Sequence, residues 1–165
     1  MSRWTRGLEI ATNIAVLAMC CLVGTLVIRS HFFPRNPLSS KGPTLGSQVN
    51  LPQAQWSGAN QTIVLAINTE CHFCSESAPF YQKLSKAALD KHDRVIAVLP
   101  QTISVAKEYL DAKQVAVDTV IQAPLNSVGV SATPTLILVD SMGRVTATWI
   151  GKLSENQQKD LLSQL

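Results

Sequence analysis

Two cysteines three residues apart, Cys71 and Cys74, stand where a run of buried-strand character gives way to a helical repeat. The run is Thr62-Ile63-Val64-Leu65-Ala66-Ile67-Asn68, short, apolar and rich in β-branched residues, as a strand covered on both faces requires. Beyond the cysteines, Ala78, Tyr81, Leu84, Ala88 and Leu89 recur at helical spacing, which predicts a helix from Cys74 to about Leu89, kinked by Pro79. A disulfide between residues this close constrains the unfolded chain very little, so the pair serves reactivity or a metal rather than stapling. Exchange chemistry needs a thiolate to attack and a second thiol to resolve the mixed disulfide. At a helix start the unpaired backbone N–H groups favour the anion on the first cysteine, which makes Cys71 the nucleophile and Cys74 the resolver. His72 adds a donor and a potential positive charge beside Cys71, and Phe73 an apolar rim. A closed zinc site would need two more ligands, and the histidines available are His72, between the cysteines, and His92, in a charged stretch. No metal and no cofactor are therefore expected.

The pattern continues as alternating strands and helices. Val95-Ile96-Ala97-Val98-Leu99 repeats the buried-strand signature, and Ser104 to Lys113 reads as a helix. This β-α-β-α order implies parallel strands joined by right-handed crossovers. A short strand near Val115 to Val117 and an irregular or helical turn around Pro124 to Val128 follow. Thr135 to Val139 is a further strand, Asp140-Ser141-Met142-Gly143 a turn, and Val145, Ala147 and Trp149 alternate with Thr146, Thr148 and Ile150, completing a β-hairpin. Ser154 with Gln157 forms a capping box for a last helix carrying Leu161, Leu162 and Leu165. The fold class is α/β, a central mixed sheet flanked by helices.

The N-terminal part differs in kind. The formal charge of +3 is concentrated before residue 42, in Arg3, Arg6, Arg29, Arg35 and Lys41 against Glu9, so the remainder is nearly neutral and nucleic acid is not an expected partner. Residues 10–28 carry no charge and as a helix would span about 28 Å at roughly 1.5 Å per residue, enough to cross a bilayer once. A cleaved secretory signal is the rival reading, because Arg3 and Arg6 resemble its charged start. Cys20 and Cys21 lie inside the apolar run as small apolar residues. Residues 29–45, with Pro34, Pro37 and Pro43 among Gly and Ser, read as a tether. The expected organisation is a flank at 1–9, a transmembrane anchor at 10–28, a linker at 29–45 and a folded domain at 46–165.

With its C-x-x-C at a strand-to-helix junction, Pro79 five residues beyond Cys74, and the segment Gly129-Val130-Ser131-Ala132-Thr133-Pro134-Thr135, residues 46–165 resemble the thioredoxin superfamily. Within it they resemble the TlpA-like and ResA-like membrane-anchored thiol:disulfide oxidoreductases of bacterial envelopes. The resemblance implies a thioredoxin-like fold and a cis Thr133–Pro134 bond that holds the Thr133 backbone against Cys71 and pairs with an extended substrate. It also implies exchange with exported protein thiols and disulfides, a redox partner protein, and a single-pass protein of the bacterial inner membrane with its catalytic domain on the periplasmic side. The chain departs from the family at Leu65, where thioredoxin has a buried Asp, and at Ser77, where the envelope reductases often have Glu. Glu76 and Glu70 are the candidates for proton transfer, although one residue of offset turns a helical side chain by about 100°. The alternative function is binding or delivery of copper or another soft metal through the same cysteines. The Pro-x-x-x-Thr-x-x-Cys pattern of thiol peroxidases is not met, since Asn68 stands three residues before Cys71.

Overall fold

The computed structural model of the chain describes residue 19 and residues 42–165. Apart from Met19, the apolar stretch 10–28, its flank, Cys20, Cys21 and residues 29–41 of the linker lie outside the described residues. Among the described residues no helix is long and apolar enough to cross a membrane.

Five strands, β1 (Gln61–Ala66), β2 (Arg94–Leu99), β3 (Thr119–Gln122), β4 (Thr135–Asp140) and β5 (Val145–Ile150), form one sheet in the order β3-β2-β1-β4-β5. β1, β2 and β3 run parallel, whereas β4 is antiparallel to β1 and β5 to β4. The helices are α1 (His72–Glu76), α2 (Ala78–Lys91), α3 (Ile103–Ala112) and α4 (Glu155–Gln164), with a 3-10 turn at Leu125–Val128.

Because β1, β2 and β3 are laid down in the same direction across the sheet, right-handed crossovers carry α2 and α3 to the same face. Ile63 and Leu65 of β1, Val95, Ala97 and Leu99 of β2, and Leu136 and Leu138 of β4 meet Leu84, Leu110 and Leu161 there. The intervening residues Val64, Ala66, Ile96, Val98, Ile137 and Val139 face the opposite side, covered by Val49 and Leu51 and by Val128 and Val130. Both faces of the central strands are dry, which is why their sequences are continuously apolar rather than alternating. A fully buried side chain such as Leu65 or Leu84 contributes roughly 1.5–3 kcal/mol by leaving water.

Four local expectations are corrected. The helix after the cysteines is two helices divided at Ser77, with Pro79 in the first turn of α2. Proline offers no N–H to the carbonyl four residues back and its ring crowds it, so the ladder stops rather than bending. Leu89 is exposed, since its neighbour Ala88 takes the sheet-facing position and adjacent helical residues point about 100° apart. The strand expected near Val115 to Val117 lies instead at Thr119–Gln122. Gln114 turns left-handed at φ 53°, Val115 drops into the core beside Leu110, and Asp118 Oδ2 accepts from Val95 N at 2.7 Å, so pairing with β2 begins one residue later. Finally, the alternation in β5 does not put Val145, Ala147 and Trp149 on one face. The β4–β5 register shifts between Leu138 and Val139, so Val145 joins the face of Val139 while Ala147 and Trp149 join the helical face.

At the start of the described segment, Gly42 approaches Thr148 and Ile150 so closely that a Cβ would come within 2.8 Å of Thr148. The capping box at α4 is formed, with Gln157 N donating to Ser154 Oγ at 3.4 Å and Ser154 N to Gln157 Oε1 at 2.9 Å.

Candidate active site

The register of the sheet assembles the site. Ala66 at the end of β1 pairs with Thr135 at the start of β4, so the chain leaving β1 and the chain entering β4 are neighbours. Cys71 and Thr133, 62 residues apart, thereby come into contact, with the Cys71 thiol donating to Thr133 O at 3.4 Å. The Thr133–Pro134 peptide is cis, and Pro134 O accepts from Gly151 N at 2.7 Å, which ties this segment to the end of β5.

The loop between β1 and α1 is pinned by Asn68. Its backbone carbonyl accepts from Cys71 N at 3.1 Å, and its side-chain oxygen accepts from Glu70 N at 2.9 Å and from Gln101 Nε2, beyond the end of β2, at 2.8 Å. Cys71 is the N-cap of α1, extended at φ −80° and ψ 114°, and its sulfur accepts from Cys74 N at 3.3 Å. That places it where a Ser or Asp would ordinarily satisfy the first free N–H groups of a helix.

The two sulfurs titrate in opposite directions. Burial opposes charge on Cys71, but hydrogen bonds from the Cys74 thiol, the Thr133 side chain and the backbone N–H groups of Cys74 and Phe73 outweigh it, so its pKa lies below that of an ordinary thiol. Cys74 is fully buried, and burial, reinforced by its hydrogen bond to Cys71 and the charge there, pushes its thiol up to about 12. Both cysteines are free thiols. The arrangement can hold one sulfur as a partly exposed anion and keep the second in reserve as a proton-bearing thiol.

The other candidates from the sequence are placed as follows. Phe73 is 54% exposed beside Cys71. His72 Nε2 lies 3.1 Å from Glu76 Oε1, and Lys152 Nζ lies 2.9 Å from Glu76 Oε2, making a three-membered surface cluster that joins α1 to the segment after β5. The Lys152 ammonium, with His72 beside it, holds the Glu76 carboxyl below the usual carboxylate range. Glu76 is thus engaged at the surface, and Glu70 is exposed in the loop before Cys71. Thr133 and Pro134 are brought to the cysteines, whereas His92 is the left-handed C-cap of α2 at φ 61°. Among the described residues no three His, Cys, Asp or Glu side chains gather as a metal-ligand set.

Sequence reasoning missed the hydroxyl-bearing side chains packed around Cys74. Ser75 Oγ and Tyr109 OH lie 3.2 Å apart, joining α1 to α3, and Ser77 Oγ donates to Phe73 O at 2.8 Å. Tyr81, which the helical stripe marked only as a core residue, is 2% exposed in the same cluster as Cys74. The signal was available in that tyrosine, since a buried phenol is a core residue with a polar end that needs a partner.

The solved structures that resemble this chain carry the same fold. A putative thioredoxin from Neisseria meningitidis superposes with a TM-score of 0.56 at 18% identity, covering 76% of this chain and 89% of that one. StoA from Bacillus subtilis gives a TM-score of 0.52 at 19% identity, covering 71% and 93%. A putative thiol:disulfide interchange protein DsbE from Chlorobium tepidum gives 0.54 at 18% identity, covering 78% and 96%. No curated protein sequence matches the chain. The Redoxin family pattern matches residues 36–165, a span that takes in the whole sheet, both cysteines and the cis-proline segment. On that match the chain belongs to the Redoxin family, whose thioredoxin-like oxidoreductase chemistry the two cysteines are built to carry.

Proposed function

We propose that this protein is a thiol:disulfide oxidoreductase that exchanges disulfides with exported protein substrates and is recharged by a redox partner protein. The observation that carries this reading is the Cys71 sulfur, held between Cys74 N at 3.3 Å and Thr133 O at 3.4 Å. In the reducing direction the Cys71 thiolate attacks a substrate disulfide. A mixed disulfide forms, and the first substrate sulfur leaves as a thiolate and takes a proton from water. Cys74 then loses its proton and attacks Cys71 Sγ, closing the Cys71–Cys74 disulfide and releasing the second substrate sulfur. Two electrons pass from the enzyme dithiol to the substrate, and the reverse sequence oxidises a substrate dithiol. Thr133, presented by the cis peptide, supplies backbone for an extended substrate segment, and Phe73 offers it an apolar contact.

The uncharged stretch 10–28 with its basic flanks supports a single membrane anchor in a bacterial inner membrane, and disulfide chemistry favours a catalytic domain on the periplasmic side, where thiols are not kept reduced. The names of the structural neighbours, among them a thiol:disulfide interchange protein and a thiol-disulfide isomerase from Corynebacterium glutamicum, support the same chemistry. The test is alkylation with a mass-tagged maleimide, with and without reductant, on purified protein. With the protein unfolded in denaturant before alkylation, so that the buried Cys74 is reached, two tags on the Cys71–Cys74 segment after reduction and none after oxidation, together with reduction of insulin by the native protein, are expected. Protein carrying stoichiometric metal with both thiols protected would favour soft-metal delivery instead and overturn this proposal.

A further inference from the structure

Resolution of the mixed disulfide asks Cys74 to become an anion in a site where, among the described residues, no carboxylate acts on it. Leu65 shares its cluster from the sheet, Ser77 stands at the break between α1 and α2, and Glu76 is bound at the surface to Lys152. What the interior does hold is a phenol. Tyr81 lies seven residues past Cys74, across the break at Ser77, and both side chains belong to the same buried cluster. Its hydroxyl is inaccessible to water and has no hydrogen-bond partner in the dithiol form. Ser77 lies near enough to favour the ionised phenol slightly, but its Oγ donates to Phe73 O at 2.8 Å and does not meet the Tyr81 hydroxyl in hydrogen-bonding geometry. A buried O–H left unpaired costs free energy, and native proteins rarely carry one without a reason.

We infer that the Tyr81 hydroxyl is the hydrogen-bond donor that receives negative charge on Cys74 during the resolving step. This rests on the exchange reading above. The hydroxyl is buried in the same cluster as Cys74 and gives its proton to no acceptor in the dithiol form, so it is free to turn toward the sulfur as charge develops there. Burial, opposed by Ser77 and reinforced by charge on Cys74, Tyr109 and Cys71, raises the pKa of this phenol above the ordinary tyrosine value. It therefore keeps its proton and acts as a donor, never as the base. The proton that Cys74 loses goes to the departing substrate thiolate, and the Tyr81 O–H···S⁻ contact ends when the Cys71–Cys74 bond closes.

The test mixes the reduced protein with oxidised glutathione and separates mixed disulfide from closed disulfide by mass at successive quench times. Tyr81→Phe is expected to form the mixed disulfide at the wild-type rate and to close it about tenfold more slowly, the size of a lost hydrogen bond to a charged group. The inflection of closure against pH should move upward as well. Because only an unpaired hydroxyl is removed, its melting temperature should equal or exceed that of the wild type. Closure at the wild-type rate with an unmoved profile, equal slowing of both steps, or a lower melting temperature would each overturn the inference, the last by showing that the hydroxyl already has a partner at rest. Failure of the wild-type protein to form any mixed disulfide would remove the exchange reading itself, which is a separate outcome.

Discussion

Replacing Cys71 by serine abolishes disulfide exchange while leaving the fold as stable as before or slightly more so. The loss follows from nucleophilicity: a serine hydroxyl is not ionised near neutral pH and cannot form the mixed disulfide, so insulin reduction should fall by at least about a thousandfold. Stability is preserved because Cys71 caps α1 by accepting from Cys74 N at 3.3 Å, and serine is a preferred residue for that role. The two readouts therefore separate. Activity by insulin turbidity and stability by thermal melting, measured on the same preparation, should show one vanish and the other hold. A melting temperature that fell sharply along with activity would mean that the sulfur was a packing element.

Cys74→Ser acts at the second step. The first sulfur still attacks, because a serine hydroxyl can donate to it much as the Cys74 thiol does, and that bond is the largest of those favouring the Cys71 anion. Resolution then fails for want of a second sulfur, so turnover drops by about a hundredfold or more while covalent adducts accumulate. Non-reducing gels of cells expressing Cys74→Ser should show the protein joined to its clients in bands that collapse on adding reductant. Cys74→Ala should trap less, since it also removes the donor and lets the Cys71 pKa rise. Equal trapping by the two variants would contradict that role for the Cys74 thiol.

The sequence carried the centre of the fold and less of its margins. β1 and β2 were legible because both faces of each strand are dry, which writes itself as an unbroken apolar run. β3 was displaced by a few residues because it is an edge strand with Ile121 its one buried residue, too little for a pattern, while the apolar Val115, past the end of α3, folds back to donate its N–H to Leu110 O. In β5 the alternation Val145-Thr146-Ala147-Thr148-Trp149 is regular, yet a register shift divides its apolar residues between two faces. Nothing local announces a shift that the partner strand imposes. For the site, Cys71 and Cys74 followed from spacing and context, but their meeting with Thr133 depends on the pairing of Ala66 with Thr135, a contact across the chain that only the family resemblance foretold. Glu76 shows the limit of offset arguments. Its place near the cysteines in sequence did not reveal Lys152, 76 residues away, which holds it at the surface. Tyr81 was classed by its ring, and its hydroxyl was overlooked.

One quantity stands under all of this, the ionisation of a single sulfur. The folded protein favours the Cys71 anion, so the thiolate should appear at lower pH than in a free thiol, while Cys74, pushed up to about 12, should contribute no charge in the same range. Ultraviolet absorbance of the thiolate, followed in the reduced protein from acid to mild alkali and checked against Cys71→Ser, reads this directly. The account predicts one inflection below the ordinary thiol value that disappears in Cys71→Ser. A single inflection at or above that value, or one that survives the substitution, would contradict it.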